Sequence, residues 1–468
     1  MLSFEHLLLP AELSAIGLSV VALILSLIGK KYSGKRPDVI VSGILSIAAI
    51  VLYSFILYRI DAMLTLGLLP GFPLRIGCDY LSFLVILNIG IVGSLALISS
   101  YDYLDIYSEK GYIPYYFCTL VFIYSMMLLI LVRDWLWFLF FFEIMTLSSY
   151  FLIGYEYYEE EPRTTAWKYF ITMHILCSTP LILGVSLIYA TTGGNLSFNA
   201  SITRFSFLVA ALFLFGFATK SGLFPFHFWL PDAHPVAPSP ISALLSGCMV
   251  EIGVYGYYRL MLQLGELNGY VYQSLLAMAF LSTLVGVASY IRQRDIKRLF
   301  AWSTIDNIGW MYLLLAVMGK QAAWLLGLYI LLHGLAKSAA FIGSGGVLYT
   351  FGTKDISNLR GTYHSNRLVV GSLIASIFAL EGVPPFGFFW SRLILLGVCF
   401  VFNPTISIVY ALLWCIAFVV FLKNIHVFLS SENHVGVKPI RSTPSFTTLS
   451  VIILLCLSII IPLLIIKI

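Results

Sequence analysis

The feature that most constrains this chain is a succession of apolar runs of about 20 residues or more, recurring from residue 7 to residue 466 with short polar connections between them. At about 1.5 Å rise per residue a run of this length matches the hydrocarbon thickness of a bilayer, and about fourteen of them fit into 468 residues. Composition agrees: 60% of residues are hydrophobic and 10% charged, where a soluble domain carries about 25% charged residues. The pattern predicts an all-α polytopic protein of the cell membrane with about fourteen transmembrane helices. Glu5 and His6 lead straight into the first run, with neither the basic region nor the small-residue cleavage site of a signal peptide, so that run reads as a retained span.

Loop charges orient the bundle. About sixteen Lys and Arg residues fall on one set of connections, led by Lys30, Lys31, Lys35 and Arg36 and by Arg292, Arg294, Lys297 and Arg298, against about seven on the other. The first set belongs in the cytoplasm, which puts both termini on the outer side. Only Lys220, Lys337, Arg392 and Lys423 remain inside spans among the 27 basic residues.

Sliding the sequence by about 160 residues brings Gly222, Pro225, Phe226 and Phe228 onto Gly382, Pro385, Phe386 and Phe388, and Tyr169, His174 and Gly184 onto Tyr329, His333 and Gly343. About five helices separate equivalent positions, so the second copy crosses the membrane in the opposite sense. The resulting division is residues 1–113 as helices 1–3, 114–263 as a first five-helix repeat, 271–429 as an inverted second repeat, and 446–466 as helix 14. Each repeat holds one proline-broken helix, at Pro225 and at Pro384 and Pro385. The backbone groups freed there must face protein or water, which points to an ion path.

An ionisable residue at mid-membrane costs about 2.5–3.5 kcal/mol even on the lenient insertion scale, so each one needs a reason. The candidates are Glu143, Lys220, Glu251, Asp306, His333 with Lys337, and Glu381 with Arg392, one or two per helix. His227 and His234 flank the first break, where a water file could reach them. Glu143 and Lys220, if they meet, form a pair whose making and breaking moves a proton; the alternative is a static buried ion pair. His333 and Lys337 are spaced i, i+4 and share a helix face. Lys423 and His426 read as snorkelling near a helix end, His174 as a packing histidine or the repeat mate of His333, and Arg392 as a cap on the break or a path residue.

Other functions find no support. The seven cysteines are scattered without metal-ligand spacing, and no glycine-rich nucleotide motif is present, so no cofactor is expected in this chain. A net charge of +5 without a basic block excludes nucleic acid as a partner.

The stretch from Lys220 to Gly247, together with Asp295 to Gly309, Leu332 to Ser338 and Glu381 to Gly387, resembles the antiporter-like subunits of respiratory complex I and the Mrp antiporters. The segment from Gly352 to Gly361 looks most like the branch of membrane-bound hydrogenases and sulfur-reducing complexes. This resemblance implies transport of protons or sodium, other antiporter-like and small membrane subunits as partners, and a hydrophilic redox arm carrying the iron-sulfur clusters. It implies that Glu143 corresponds to the family's fifth-helix glutamate, Lys220 to the seventh-helix lysine, Lys337 to the eleventh-helix lysine and His333 to the histidine of the connecting axis. Two positions depart from the pattern. Glu251 stands where many relatives have a lysine, and Arg392, which does not release its proton, stands at the outlet where relatives have lysine or glutamate. The function expected is ion translocation in a complex I-like oxidoreductase such as a hydrogenase or sulfur reductase. An Mrp-type antiporter subunit without a redox arm and a non-conducting spacer are the alternatives.

Overall fold

Short polar side chains set where the apolar runs begin to coil. The computed structural model describes residues 37–69, 71–107, 112–265, 267–430 and 438–465. In it Asp79 accepts from the Ser82 N–H and caps α2 (Tyr80–Tyr103), Asp134 accepts from the Leu136 N–H and caps α4 (Trp135–Ile153), and Asn268 caps α9 (Gly269–Tyr290). Asp295, Asn366 and Asn403 do the same for α10 (Ile296–Met318), α12 (Arg367–Glu381) and α14 (Pro404–Leu429). Between these lie α1 (Pro37–Ile60), α3 (Ile113–Leu131), α5 (Glu160–Thr191), α6 (Ser206–Ser221), α7 (Leu230–Val236), α8 (239–263), α11 (Ala323–Phe351), α13 (Phe388–Phe402) and α15 (Ser445–Ile465).

Among the described residues ten helical stretches are long and apolar enough to cross a bilayer, which makes the chain a multi-pass membrane protein. One of the ten, Ile296–Phe351, contains both α10 and α11. Three expected spans are not among them. Residues 7–29, with Lys30, Lys31, Lys35 and Arg36, lie outside the described residues. The helix at 239–263 is too polar, carrying Glu251 and Arg259, and 366–402 divides into α12 and α13, each short. A second difference is an antiparallel hairpin, Met63–Leu69 with Phe72–Gly77, in the connection between α1 and α2. Gly71, at φ +79°, makes its turn.

Both broken crossings use the same local device. α6 ends at Gly222 (φ +69°) and α12 at Gly382 (φ +68°), left-handed positions that terminate a helix and that only glycine adopts cheaply. Indole N–H groups then take up carbonyls near each break, Trp229 bonding Thr219 at 2.9 Å and Trp414 bonding Glu381 at 2.6 Å. The hydroxyl of Ser282 receives the Phe224 N–H at 2.8 Å.

α11 is the axis of the bundle, buried over nearly its whole length. Glycines let its neighbours approach: a methyl on Gly334 would overlap the Asn88 amide of α2, and one on Gly327 would lie 2.8 Å from a methyl of Leu84.

Candidate functional site

Lys220 is the penultimate residue of α6 and is fully buried. Its ammonium donates to the Thr146 hydroxyl at 3.0 Å and to the Tyr169 hydroxyl at 3.3 Å, and lies 4.9 Å from the centre of the Phe142 ring. Glu143 is not its partner, and the two form no ion pair. Glu143 sits one residue beyond Phe142 on α4, which turns its side chain outward, 35% exposed, against His174 Nε2 at 3.4 Å, itself 38% exposed. α5 holds His174 in a π-helical turn, Met173–Ser178, that precedes Pro180. Thus the expected Glu143–Lys220 contact is replaced by two separate arrangements, one inside the bundle and one on its face.

Glu251 and His333 do meet. The carboxylate Oε1 lies 2.6 Å from His333 Nδ1, both side chains fully buried, and Oε2 accepts from the Asn88 amide at 3.0 Å. A second π turn, Leu245–Met249, precedes Glu251 in α8, and its Gly247 carbonyl also accepts from Asn88, at 2.6 Å. One turn along α11 from His333, Lys337 donates to the Phe300 carbonyl at 2.9 Å and to the Ser303 hydroxyl. Met249, two residues before Glu251, accepts at its sulfur from the Tyr169 hydroxyl at 3.6 Å, the same hydroxyl to which Lys220 donates.

The third cluster is continuous. Asp306 accepts from the Tyr290 hydroxyl at 2.8 Å and from the Trp310 indole at 3.2 Å, and lies 3.9 Å from Arg392. Arg392 donates to Asn307 Oδ1 at 2.8 Å and to the Glu381 carbonyl at 3.2 Å, with the rings of Trp310, Phe388 and Trp414 within 5.5 Å of its guanidinium carbon. Glu381, the last residue of α12, is buried, and its Oε2 has no hydrogen-bond partner among the described residues.

His227 packs between Phe224 and Trp302, and His234 is fully buried, stacked 4.6 Å from Phe341, with neither ring nitrogen bonded among the described residues. Lys423 and His426 are exposed. Lys297 corrects the reading of loop charges: it is 2% exposed and donates to the Ala237 carbonyl behind the first break. Its place in the first turn of α10, capped by Asp295, draws it inside, and Asp295 is a cap signal visible in the sequence. Asn88, Tyr290 and Asn307 escape sequence reasoning, because neutral polar residues in an apolar run carry no charge signal, and Tyr169 is marked there only as the repeat mate of Tyr329.

At the other end of the bundle Asp79 binds Arg259 at 2.5 Å and Arg133 at 3.8 Å, tying α2, the start of α4 and α8 together. Burial works to raise the Asp79 carboxyl, but the two guanidinium groups prevail and hold it well below the usual carboxylate range. Among the described residues no three His, Cys, Asp or Glu side chains converge on a metal-sized site.

Three known proteins share this architecture or sequence. Hydrogenase-4 component B of Escherichia coli is 32% identical over 342 residues, 68% of this chain and 50% of that protein, so the chain spans half the length of this relative. One of the subunits of the Na(+)/H(+) antiporter of Alkalihalophilus pseudofirmus is 28% identical over 341 residues, 70% of this chain and 68% of that one. A protein in the structure of the membrane-bound sulfane sulfur reductase, an archaeal respiratory membrane complex, superposes with a TM-score of 0.84 over 98% of this chain and 94% of that one; at 24% identity this shows a common fold. The model of the family described as NADH:quinone oxidoreductase/Mrp antiporter, TM, matches residues 132–419, which hold every charged group of the three clusters, and the chain belongs to that family.

Proposed function

We propose that this chain is the proton-translocating subunit of a multi-subunit membrane oxidoreductase of the hydrogenase or sulfur-reductase kind, powered by a redox arm that carries the iron-sulfur clusters. The observation that carries the reading is the buried Glu251–His333 contact at 2.6 Å, continued along α11 by Lys337. A carboxylate and an imidazole in direct contact exchange a proton, which favours protons over sodium as the cargo. In this reading Lys220 is the first-half carrier, Glu251 and His333 link the halves, and Lys337, Asp306 and Glu381 conduct in the second half. Arg392 keeps its proton and acts as a fixed counter-charge. His227 and His234 belong to the entry beside the first break.

The paired breaks at Gly222 and Gly382 support an inverted repeat of residues 114–263 and 271–429 within a fourteen-helix bundle, with residues 1–113 and 446–466 flanking it and both termini outside. The Glu143–His174 pair supports a neighbour. Ionisable side chains about a third exposed at mid-helix cannot face lipid, so another antiporter-like or small membrane protein covers them.

In vesicles holding the assembled complex, Glu251→Gln and Lys220→Ala should each abolish redox-coupled proton uptake. Unchanged uptake in both would overturn the assignment. The box around Arg392 favours a second reading, a non-conducting spacer, which a wild-type rate in both variants would support. Co-purification with small membrane proteins alone, without iron-sulfur subunits, would point instead to an Mrp-type antiporter.

A further inference from the structure

Asn88 lies near the middle of α2, outside residues 132–419 that match the family, and is fully buried. Its amide nitrogen donates to the Gly247 carbonyl at 2.6 Å and to Glu251 Oε2 at 3.0 Å. Both N–H groups are therefore used, while Oδ1 has no partner among the described residues. Flipping the amide would turn Oδ1 toward the Gly247 carbonyl and the Glu251 carboxylate, three acceptors with no hydrogen between them. The Gly247 bond thus locks Asn88 as a donor toward Glu251. Gly334 supplies the room, since a methyl there would overlap the amide.

The two carboxylate oxygens are consequently unequal: Oε2 faces a fixed donor and Oε1 faces His333 Nδ1. We infer that Asn88 is a positioning residue that makes the two oxygens of Glu251 unequal carriers, occupying Oε2 with a fixed donor so that Oε1 is the oxygen that takes up the proton and hands it to His333. This rests on the proton path proposed above. A fixed N–H donor at Oε2 complements the charged carboxylate and not the neutral acid. The titratable groups around Glu251 are His333 in contact, Lys337 one turn further on α11, and Cys248 on its own helix, while Arg392 of α13 packs on the Phe388 ring that also meets His333. Asp306 of α10 and Lys220 of α6 make no bond to it.

The test is the pH profile of redox-driven proton uptake by the assembled complex in vesicles, in Asn88→Leu and Gly334→Ala. The first removes the donor, and the second keeps the amide but pushes it away, serving also if Asn88→Leu fails to assemble. Both variants leave Oε2 of the carboxylate without the N–H donor that complements its charge. Both variants should shift the profile to higher pH by about one unit, with uptake about tenfold lower at neutral pH and restored in alkali. An unshifted profile, or a loss by the same factor at every pH, overturns the role of Asn88. Uptake retained in Glu251→Gln would instead overturn the path itself.

Discussion

Lys220 and Arg392 are both fully buried cations beside a broken helix, yet their surroundings differ in kind. Lys220 is held by two neutral hydroxyls and an aromatic face, with its nearest candidate carboxylate, Glu143, turned outward to His174. Arg392 is held by Asp306, Asn307, the carbonyl of Glu381 and three aromatic rings. A cation held by hydroxyls can lose its proton without leaving a buried charge unpaired. A guanidinium that neutralises a buried carboxylate cannot, and its removal would strand that carboxylate. In the proposed path the first break therefore suits a charge that changes and the second a charge that stays.

Substitutions that remove each cation test this contrast most strongly. Arg392→Met should lower the stability of the detergent-solubilised complex by about 3–5 kcal/mol, because Asp306 loses its counter-charge and Asn307 a donor. Lys220→Met should change it by less than about 1 kcal/mol. Thr146 already bonds the Phe142 carbonyl and Tyr169 already bonds Ser149, so neither hydroxyl is stranded. Equal losses of melting temperature in the two variants would break the comparison.

A smaller effect separates the breaks themselves. Trp414→Phe removes one of two donors to the Glu381 carbonyl and Trp229→Phe removes the side-chain donor to Thr219, each at an expected cost of about 1–3 kcal/mol by thermal melting. The Trp229 change should be the larger, since the Glu381 carbonyl keeps a charged donor in Arg392 whereas Thr219 keeps only the Gly222 N–H, at 3.2 Å. The reverse order would show that the second break is the more strained. The smallest effect belongs to Lys423→Gln, whose exposed side chain touches neither cluster; its melting curve should overlay the parent's.

Much of this is legible in the residue order, for physical reasons specific to particular positions. A carboxylate or ammonium in an apolar run is conspicuous, so Glu251, Asp306, Lys337 and Arg392 stand out in the sequence. Glycine followed within three residues by proline marks a helix end: the prolines put the breaks at Pro225 and at Pro384 and Pro385, and the helices end two to three residues earlier, at Gly222 and Gly382. The hairpin at residues 63–77 is invisible there because an apolar connection resembles the flank of a span. Lys297 reads as a loop charge because its neighbours Arg292, Arg294 and Arg298 do, although its own position in the first turn of α10 buries it.

That this chain lies in a membrane, and which ionisable groups it carries there, follows from residue order alone, because exposing apolar surface to water or charge to lipid has a cost that each segment bears locally. The partners of those groups come from the packed bundle instead. Whether Lys220 meets Glu143 or Thr146, and whether Glu251 meets a lysine or His333 and Asn88, depends on π turns and glycine contacts that rotate a side chain from one helix face to another. Such rotations are set by packing between segments far apart in the chain, and no pattern of apolar spacing records them.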